Sequence, residues 1–121
     1  MESILIVDDD LNLCKVLAEE LSEIGYSTQY VTSADAALAY IQHESIELML
    51  LDLKMPEKDG FEVLRELKTQ TVRFKVIVLT AYADVVSAME AARMGATDFI
   101  SKPYDFDELL ITIRKVLQKD A

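Results

Sequence analysis

Short apolar runs alternate along the chain with longer segments whose apolar residues recur at helical spacing. The runs lie at residues 4–7, 27–31, 48–51, 75–79 and 98–100, and they predict five strands. The runs at 48–51 and 75–79 are apolar without a helical or an alternating period, which is typical of strands buried on both faces of a parallel sheet. The run at 27–31 alternates between apolar and polar residues, which favours a strand nearer the sheet edge.

The segments between and after these runs predict five helices, at residues 11–24, 34–43, 60–67 and 84–94 and from a cap at Asp105 to residue 118. Four of these starts carry a side chain that can accept a hydrogen bond from first-turn amides. These side chains are Asp10, Ser33, Asp84 and Asp105, with Glu108 completing a capping box. In the first helix, one apolar side is expected to be buried, and Gly25 is expected to end the helix. That side consists of Cys14, Leu17, Leu21 and Ile24.

Strict alternation of strands and helices with short connections predicts a doubly wound parallel sheet. Right-handed crossovers limit the possible topologies, and we expect strand order 2-1-3-4-5, the flavodoxin-like (βα)5 arrangement. The chain has 121 residues, of which 51% are hydrophobic, so it is long enough to bury one core. Residues 1–121 are therefore predicted to form a single α/β domain.

Charge and composition argue against several classes of function. The net charge of -10 argues against direct binding of nucleic acid, since that requires Lys and Arg to neutralise phosphates. No apolar run is long enough to cross a bilayer, and the first residues lack basic side chains, so neither a membrane helix nor a signal peptide is predicted. The single cysteine, Cys14, cannot form an internal disulfide and is expected in the core. These features together predict a cytoplasmic protein.

Acidic residues follow two of the predicted strands at the point where each strand ends. Asp8, Asp9 and Asp10 follow the first strand, and Asp52 follows the third. In strand order 2-1-3-4-5 these strands are neighbours at the topological switch point, where open α/β sheets bind ligands beyond their carboxyl ends. An acid at a strand end is also a common cap of the next turn or helix, and we assign that role to Asp10.

Clustered carboxylates require a compensating cation, because two unit charges about 4 Å apart repel by roughly 4 kcal/mol at an effective dielectric of 20. Hard oxygen ligands favour Mg²⁺, whereas no run of alternating oxygen ligands typical of a Ca²⁺ loop is present. Thr80 closes the fourth strand with a hydroxyl, and Lys102 follows the fifth with an ammonium group. Acids, a hydroxyl and an ammonium at one sheet edge suit phosphoryl transfer, with Asp52 as the nucleophile that forms an aspartyl-phosphate.

Four dispersed motifs place these residues in a characteristic order. They are Ile4-Leu5-Ile6-Val7-Asp8-Asp9, Leu50-Leu51-Asp52-Leu53-Lys54-Met55-Pro56 with Asp59-Gly60, Leu79-Thr80-Ala81, and Ser101-Lys102-Pro103. A chain with these motifs at these spacings resembles the receiver domains of two-component response regulators over nearly its whole length. The residues around Asp52 and Thr80 look most like receivers of enhancer-binding, nitrogen-regulation-type regulators and like stand-alone phosphorelay receivers.

The resemblance implies a phosphorylation-activated signalling switch. Asp52 would accept a phosphoryl group from a phosphohistidine on a histidine kinase or on a histidine phosphotransfer protein. Mg²⁺ would be the cofactor, bound by Asp9, Asp52 and the backbone carbonyl of Lys54, with Asp8 assisting through water. Such a domain is not an enzyme for other substrates, since it catalyses only its own phosphoryl transfer and dephosphorylation.

The same resemblance assigns roles to residues around this site. Lys102 would pair with the phosphoryl oxygens, and the Lys102–Pro103 peptide would be cis. Phe99 matches the family's rotating aromatic switch position. Lys54 and Tyr82, which lie two residues beyond Asp52 and Thr80, would tune how fast the phosphoryl group is lost.

Two surfaces are predicted to bind partners. By resemblance, the kinase or phosphotransfer helix would dock on the first helix and on the loop that follows the fifth strand. The docking residues would be Leu13, Val16, Pro103 and Tyr104. The output surface would consist of the fourth helix, the fifth strand and the fifth helix, because the fourth helix is apolar on more than one side and Ile111 extends that patch. An output domain, a partner protein or a second copy of the chain would bind there.

Three other functions share parts of this pattern. A flavodoxin-like FMN protein has the same fold, but three acids in its first loop would repel a phosphate. A phosphatase of the haloacid dehalogenase class also uses a strand-end Asp, but it needs a second Asp at the position of Lys54. An interaction module that no longer undergoes phosphorylation would keep the fold, and the intact set of acids, Thr80 and Lys102 argues against it.

Overall fold

A computed structural model describes residues 2–81 and 84–118 of the chain. Its strands are β1 (Ser3–Val7), β2 (Ser27–Val31), β3 (Leu48–Leu51), β4 (Lys75–Thr80) and β5 (Asp98–Ser101). Its helices are α1 (Leu11–Glu23), α2 (Ala34–His43), α3 (Gly60–Lys68), α4 (Val85–Arg93) and α5 (Phe106–Gln118). Each element lies within one residue of its predicted bounds, because the apolar period that defines it is a local property of the sequence.

The five strands form one parallel sheet in the order β2-β1-β3-β4-β5, as predicted. β3 lies in the middle, and all four of its residues are buried. In the register of β1 and β3, Val7 is opposite Leu51, and the amide of Asp52 donates to the carbonyl of Val7 at 2.9 Å. This register brings the acids that follow the two strands to the same edge of the sheet.

Helices cover both faces of the sheet, so residues of the central strands are buried on whichever face they point to. One face packs Ile4, Ile6, Leu48 and Leu50 against apolar residues of α1 and α5. The other face packs Leu5, Val7, Met49 and Leu51 against α2, α3 and α4. Burial of each such side chain stabilises the fold by about 1.5–3 kcal/mol, which makes the carboxyl edge of the sheet a rigid platform.

The predicted caps are confirmed where the helices begin. Asp10 accepts from the amide of Leu13 at 3.1 Å, Ser33 from Ala36 at 3.1 Å and Asp84 from Ser87 at 2.7 Å. Asp105 accepts from the amides of Asp107 and Glu108 at 2.8 and 3.2 Å. Gly25, with φ +108°, adopts the left-handed conformation that ends α1 at the predicted place.

One core prediction is wrong. Ile24 was expected on the buried side of α1, but it is 43% exposed, whereas Cys14, Leu17 and Leu21 are buried. Ile24 is the C-cap with non-helical dihedral angles, so the helical period no longer sets its direction. Tyr26, beyond the turn at Gly25, packs against this part of the core instead.

At Gly60, the backbone at the start of α3 lies very close to the backbone of Asp52 and Leu53, just after β3. A Cβ at this position would lie 2.2 Å from the carbonyl oxygen of Asp52 and 2.7 Å from the Cα of Leu53. The amide of Gly60 also donates to the carbonyl of Leu53 at 2.9 Å. Only glycine therefore lets α3 begin directly against the end of β3.

Candidate functional site: an acidic cleft at the carboxyl edge of the sheet

A cleft of about 690 Å³ opens at the carboxyl ends of β1, β3, β4 and β5. It is lined by Asp9, Asp52, Lys54, Met55, Pro56, Thr80, Ala81 and Lys102. The cleft therefore gathers side chains that are far apart in the sequence but that all lie at or beyond the carboxyl end of a strand of the parallel sheet. Its position at the topological switch point is the one that the alternating pattern predicts.

Three carboxylates meet at this edge. Asp8, Asp9 and Asp52 each place one oxygen within 4.8 Å of the other two. Asp8 and Asp52 are buried, with 2% and 5% of their surface exposed, whereas Asp9 is exposed. Asp10 points to the first turn of α1 and is outside this set, which confirms its assignment as a cap.

Lys102 crosses the cleft to the two buried acids. Its Nζ donates to Oδ2 of Asp8 at 2.6 Å and lies 3.6 Å from Oδ2 of Asp52. Its backbone amide donates to the carbonyl of Thr80 at 2.9 Å, which fixes the loop after β5 to the end of β4. The Lys102–Pro103 peptide is cis, as the resemblance implies.

Burial is the largest influence on the pKa values of both Asp8 and Lys102. The pKa of Asp8 is raised above its ordinary value because burial disfavours the carboxylate, although the hydrogen bond from Lys102 opposes this shift. Burial also lowers the pKa of Lys102, but the hydrogen bond and charge of Asp8, together with the charge of Asp52, outweigh it and raise that pKa. Lys102 is therefore an ammonium ion across the physiological range.

The remaining predicted chemical groups lie at different depths. Thr80 is completely buried at the end of β4 and lines the cleft together with Asp9 and Asp52. Phe99 lies outside the cleft lining. It packs against the core on the α4 side and lines a groove of about 220 Å³ between α4 and β5. A movement of its ring would therefore affect α4 rather than the acids directly.

The donor set fits Mg²⁺. Three carboxylates face one ammonium group, so the pocket keeps an excess of negative charge that a divalent cation would offset. The ligand atoms are hard oxygens, and the exposure of Asp9 leaves room for the waters that Mg²⁺ retains. Lys54 lines the same cleft, so its backbone lies beside the acids.

A second, apolar groove of about 400 Å³ adjoins the cleft. It is lined by Leu13, Ala81, Lys102, Pro103 and Tyr104, which brings together three of the four predicted docking residues. Val16, the fourth, is 55% exposed on α1 and does not line this groove.

The predicted apolar face of α4 is exposed. Val85, Val86 and Met89 are 73%, 77% and 59% exposed, and Ile111 on α5 is also exposed. Ala91, on the opposite side of α4, is buried against the sheet. α4 thus has apolar residues on both its buried and its open side, as expected from its sequence.

The structure adds several features around the site to the predicted set. Met55 is buried beneath the cleft, and Asp59 caps α3 by accepting from the amide of Glu62 at 3.0 Å. The hydroxyl of Tyr104 donates to the carboxylate of Glu20 across 84 positions of the sequence at 2.9 Å. The acid at Asp59 directly before a helix was a signal for its cap, but nothing local predicts the contact of Tyr104 with Glu20. Tyr82, predicted to tune phosphoryl loss, lies outside the described residues.

Comparison with known proteins decides the family. Residues 4–114 match the family model for the response regulator receiver domain. The chain belongs to this family. The resemblance drawn from the four motifs is therefore confirmed, and the flavodoxin and phosphatase alternatives are rejected.

Relatives of this receiver domain include regulators that are much longer. It is 38% identical over 115 residues to the regulatory protein AtoC of Escherichia coli K12, covering 95% of this chain and 25% of that protein. It is 39% identical over 114 residues to the transcriptional regulatory protein ZraR of the same organism, covering 94% of this chain and 26% of that protein. The chain thus spans about a quarter of the length of the curated relatives it matches.

Solved structures show the same receiver fold. The receiver domain of the Francisella response regulator 1452 superposes with a TM-score of 0.93 at 26% identity, with 100% of both chains covered. A CheY-like receiver domain protein from Methanospirillum hungatei gives a TM-score of 0.93 at 31% identity, covering 98% of this chain and 95% of that one. Within the residues that the structure describes, no helix is both long and apolar enough to span a membrane.

Proposed function

We propose that this receiver domain accepts a phosphoryl group on Asp52 from a phosphohistidine and relays it as a change in the α4–β5–α5 surface. The donor is a histidine kinase or a histidine phosphotransfer protein, and the reaction depends on Mg²⁺. One observation carries the proposal: the Asp52 carboxylate lies in the floor of the cleft, with the ammonium of Lys102 and two further carboxylates around it. Residues 1–121 constitute one such domain in this proposal.

The chemistry is a transfer between two nucleophiles. An oxygen of the Asp52 carboxylate bonds to phosphorus while the bond from phosphorus to the histidine nitrogen breaks, and the imidazole leaves with the electron pair and takes up a proton. The protein positions Asp52 by the hydrogen bond of its amide to Val7 and by the amide of Lys54, which donates to its Oδ1 at 3.3 Å. In dephosphorylation, an oxygen of water bonds to phosphorus while the bond from phosphorus to the Asp52 oxygen breaks, which releases inorganic phosphate and regenerates the Asp52 carboxylate.

Asp9, Asp52 and the carbonyl of Lys54 are the proposed Mg²⁺ ligands, with Asp8 acting through water. The bound ion supplies charge neutralisation, which lets an anionic phosphoryl group approach a carboxylate. Asp8 also holds the Lys102 ammonium at 2.6 Å, so it keeps this cation poised beside Asp52.

Lys102 and Thr80 then act on the transferred group. Lys102 is 3.6 Å from Asp52 and exchanges its carboxylate partners for the oxygens of the phosphoryl group. The Thr80 hydroxyl donates to another of these oxygens. The movement of Thr80 vacates space at the end of β4, and the Phe99 ring enters it from the groove between α4 and β5. Phosphorylation in this way biases an equilibrium between two arrangements of α4.

Side chains around the cleft control the rate at which the phosphoryl group is lost and bind partner proteins. Lys54 is exposed and lines the cleft, so its length hinders an attacking water, and Tyr82 is assigned the same role. The docking surface comprises Leu13, Val16, Pro103 and Tyr104, beside the cleft. The exposed apolar side of α4 binds an output domain, a partner protein or a second copy, because a large exposed apolar patch is costly without an occupant.

Intact mass spectrometry tests the proposal. Incubation with acetyl phosphate and Mg²⁺ is expected to add one phosphoryl group, and EDTA or the variant Asp52→Asn is expected to prevent it. Asp59→Asn is the matched control, because Asn remains a good cap and Asp59 is in the same loop but outside the acidic set. Labelling that persists in Asp52→Asn would overturn the proposal. No labelling of the wild type by acetyl phosphate or by a phosphohistidine donor would instead favour a phosphorylation-independent interaction module.

A further inference from the structure

One hydrogen bond joins α1 to the loop that carries Lys102. The hydroxyl of Tyr104 donates to Oε1 of Glu20 at 2.9 Å, and both side chains are half-buried. The Tyr104 ring packs against the core between α1 and α5. Burial and the neighbouring charge of Glu20 raise the pKa of Tyr104, so the phenol keeps the proton that it donates. A neutral donor on a carboxylate gives a charge-assisted bond, which is stronger than one between neutral groups.

The two ends of this bond belong to different elements, Tyr104 to the loop after β5 and Glu20 to α1. Tyr104 is two residues beyond Lys102, separated only by Pro103, whose ring fixes its own φ. Glu20 is in the last turn of α1, the helix whose N-cap, Asp10, follows Asp8 and Asp9. The bond therefore ties the loop of the ammonium group to the element that follows the acids.

Lys102 needs such a restraint because its own side chain is long and flexible. A lysine side chain loses up to about 2 kcal/mol of rotamer entropy when it is held in one geometry. Here its Nζ must stay 2.6 Å from Asp8 and 3.6 Å from Asp52 at once. A displacement of the backbone that carries Lys102 would break this geometry, and misplacement by about 1 Å can cost a large factor in rate.

We propose that Glu20 and Tyr104 are a positioning pair that holds Lys102 over Asp52. Neither residue touches the reacting atoms, and both act through the backbone of the Lys102 loop. The inference rests on the proposed function for its kinetic consequence. Its structural consequence, the restraint on the Lys102 ammonium in the unphosphorylated domain, does not depend on the proposed function.

The test compares Tyr104→Phe with the wild type in two measurements. Exchange of the Lys102 ammonium protons with water, followed by nitrogen-15 NMR without Mg²⁺, is expected to be faster in the variant because the ion pair with Asp8 opens more often. Phosphorylation by acetyl phosphate is expected to slow by about threefold to tenfold at saturating donor, since orientation rather than binding is lost. A small donor is used so that docking of a protein partner does not contribute.

Controls separate positioning from general destabilisation. Glu20→Gln, whose amide oxygen can still accept from the phenol, is expected to have a smaller effect than Tyr104→Phe. The double variant should be no worse than Tyr104→Phe alone. Tyr30→Phe on β2 and Glu19→Gln, the exposed neighbour on α1, are matched changes expected to leave both measurements unchanged.

Unchanged ammonium exchange in Tyr104→Phe would overturn the inference. Equal changes in Tyr104→Phe and Tyr30→Phe would also overturn it, because they would indicate a loss of packing. If the wild type is not phosphorylated at all, the proposed function fails, and the ammonium exchange still decides the role of the pair.

Discussion

At the scale of single residues, burial rather than repulsion dominates the acidic pocket. Clustered carboxylates predict at least one raised pKa, and the pKa of Asp8 is raised. The largest cause is burial of its carboxyl group, whereas the negative charge of Asp52 is the smallest. Lys102 opposes the shift but does not cancel it. Burial therefore makes ionisation of Asp8 less favourable in the folded protein than in the unfolded chain.

This shift has a consequence for stability as a function of pH. A carboxyl group whose pKa is raised on folding contributes stability that is present below its ordinary value of 3.8 and is lost as the pH rises through the raised pKa. In EDTA, the free energy of unfolding of the wild type should therefore fall relative to that of Asp8→Asn as the pH rises above 3.8. Urea unfolding at a series of pH values measures the difference. A difference that is constant, or that grows with pH, contradicts the assignment.

Asp9 is predicted to lower the stability of the metal-free fold and to be required for Mg²⁺ binding. Its carboxylate is within 4.8 Å of two others but is exposed, so Asp9→Asn should raise the free energy of unfolding in EDTA by about 1 kcal/mol. Added Mg²⁺ should stabilise the wild type and have little effect on the variant. Thermal melts with EDTA and with Mg²⁺ measure both effects.

Asp10→Asn is the control for Asp9→Asn. It removes one charge from the same loop, and Asn still caps α1, so the response to Mg²⁺ should be retained. If Asp9→Asn instead melts at a lower temperature than the wild type in EDTA, repulsion between Asp9 and the other carboxylates does not destabilise the metal-free fold.

Gly60 is predicted to tolerate no side chain. Gly60→Ala places a methyl group 2.2 Å from a backbone oxygen of Asp52, which cannot move without disturbing β3, so we expect a loss of about 2–3 kcal/mol. Gly25→Ala meets no atom within 4 Å but has a φ of +108°, so it should cost about 1 kcal/mol. Chemical unfolding of both variants checks this order, and an equal cost would count against the contact at Gly60.

At the scale of elements, α4 leaves a large part of its apolar surface exposed. Its exposed Val85, Val86 and Met89 lie opposite the buried Ala91, and the groove beside it holds Phe99. Amide exchange with and without beryllofluoride, which mimics a phosphoryl group, should therefore change at residues 81–106 as well as at residues 52–56. Thr80→Ala should abolish the distant change while leaving phosphorylation possible. Changes restricted to residues 52–56 would rule out the switch.

The elements themselves were predictable because their signals are local. Alternating runs, caps and Gly25 determined each boundary to within one residue, and strand order followed from chain connectivity. The prediction that Ile24 is buried was wrong because Ile24 is the C-cap of α1, where the helical period ends. The acids, Thr80 and Lys102 were predictable because each lies at or just beyond the carboxyl end of a strand. Two side-chain contacts were not predictable, those of Lys102 with Asp8 and of Tyr104 with Glu20. They depend on tertiary packing and side-chain rotamers, which the periodicity of apolar residues does not determine.

At the scale of the whole molecule, the parallel sheet brings residues that are far apart in the sequence together in one acidic cleft. The net charge of -10 and the receiver family are consistent with a domain that binds a metal ion and a phosphoryl group rather than nucleic acid. Rigid packing on both faces of β3 supports Asp52, while the exposed side of α4 is available for a partner.

The most direct test locates the phosphoryl group on the chain. Protein treated with acetyl phosphate and Mg²⁺ is reduced with borohydride, which converts an aspartyl-phosphate to homoserine, and the digest is sequenced by tandem mass spectrometry. We predict homoserine at residue 52 alone, and none when EDTA is present. Homoserine at residue 8 or 9, or at residue 52 to the same extent without Mg²⁺, would contradict the account.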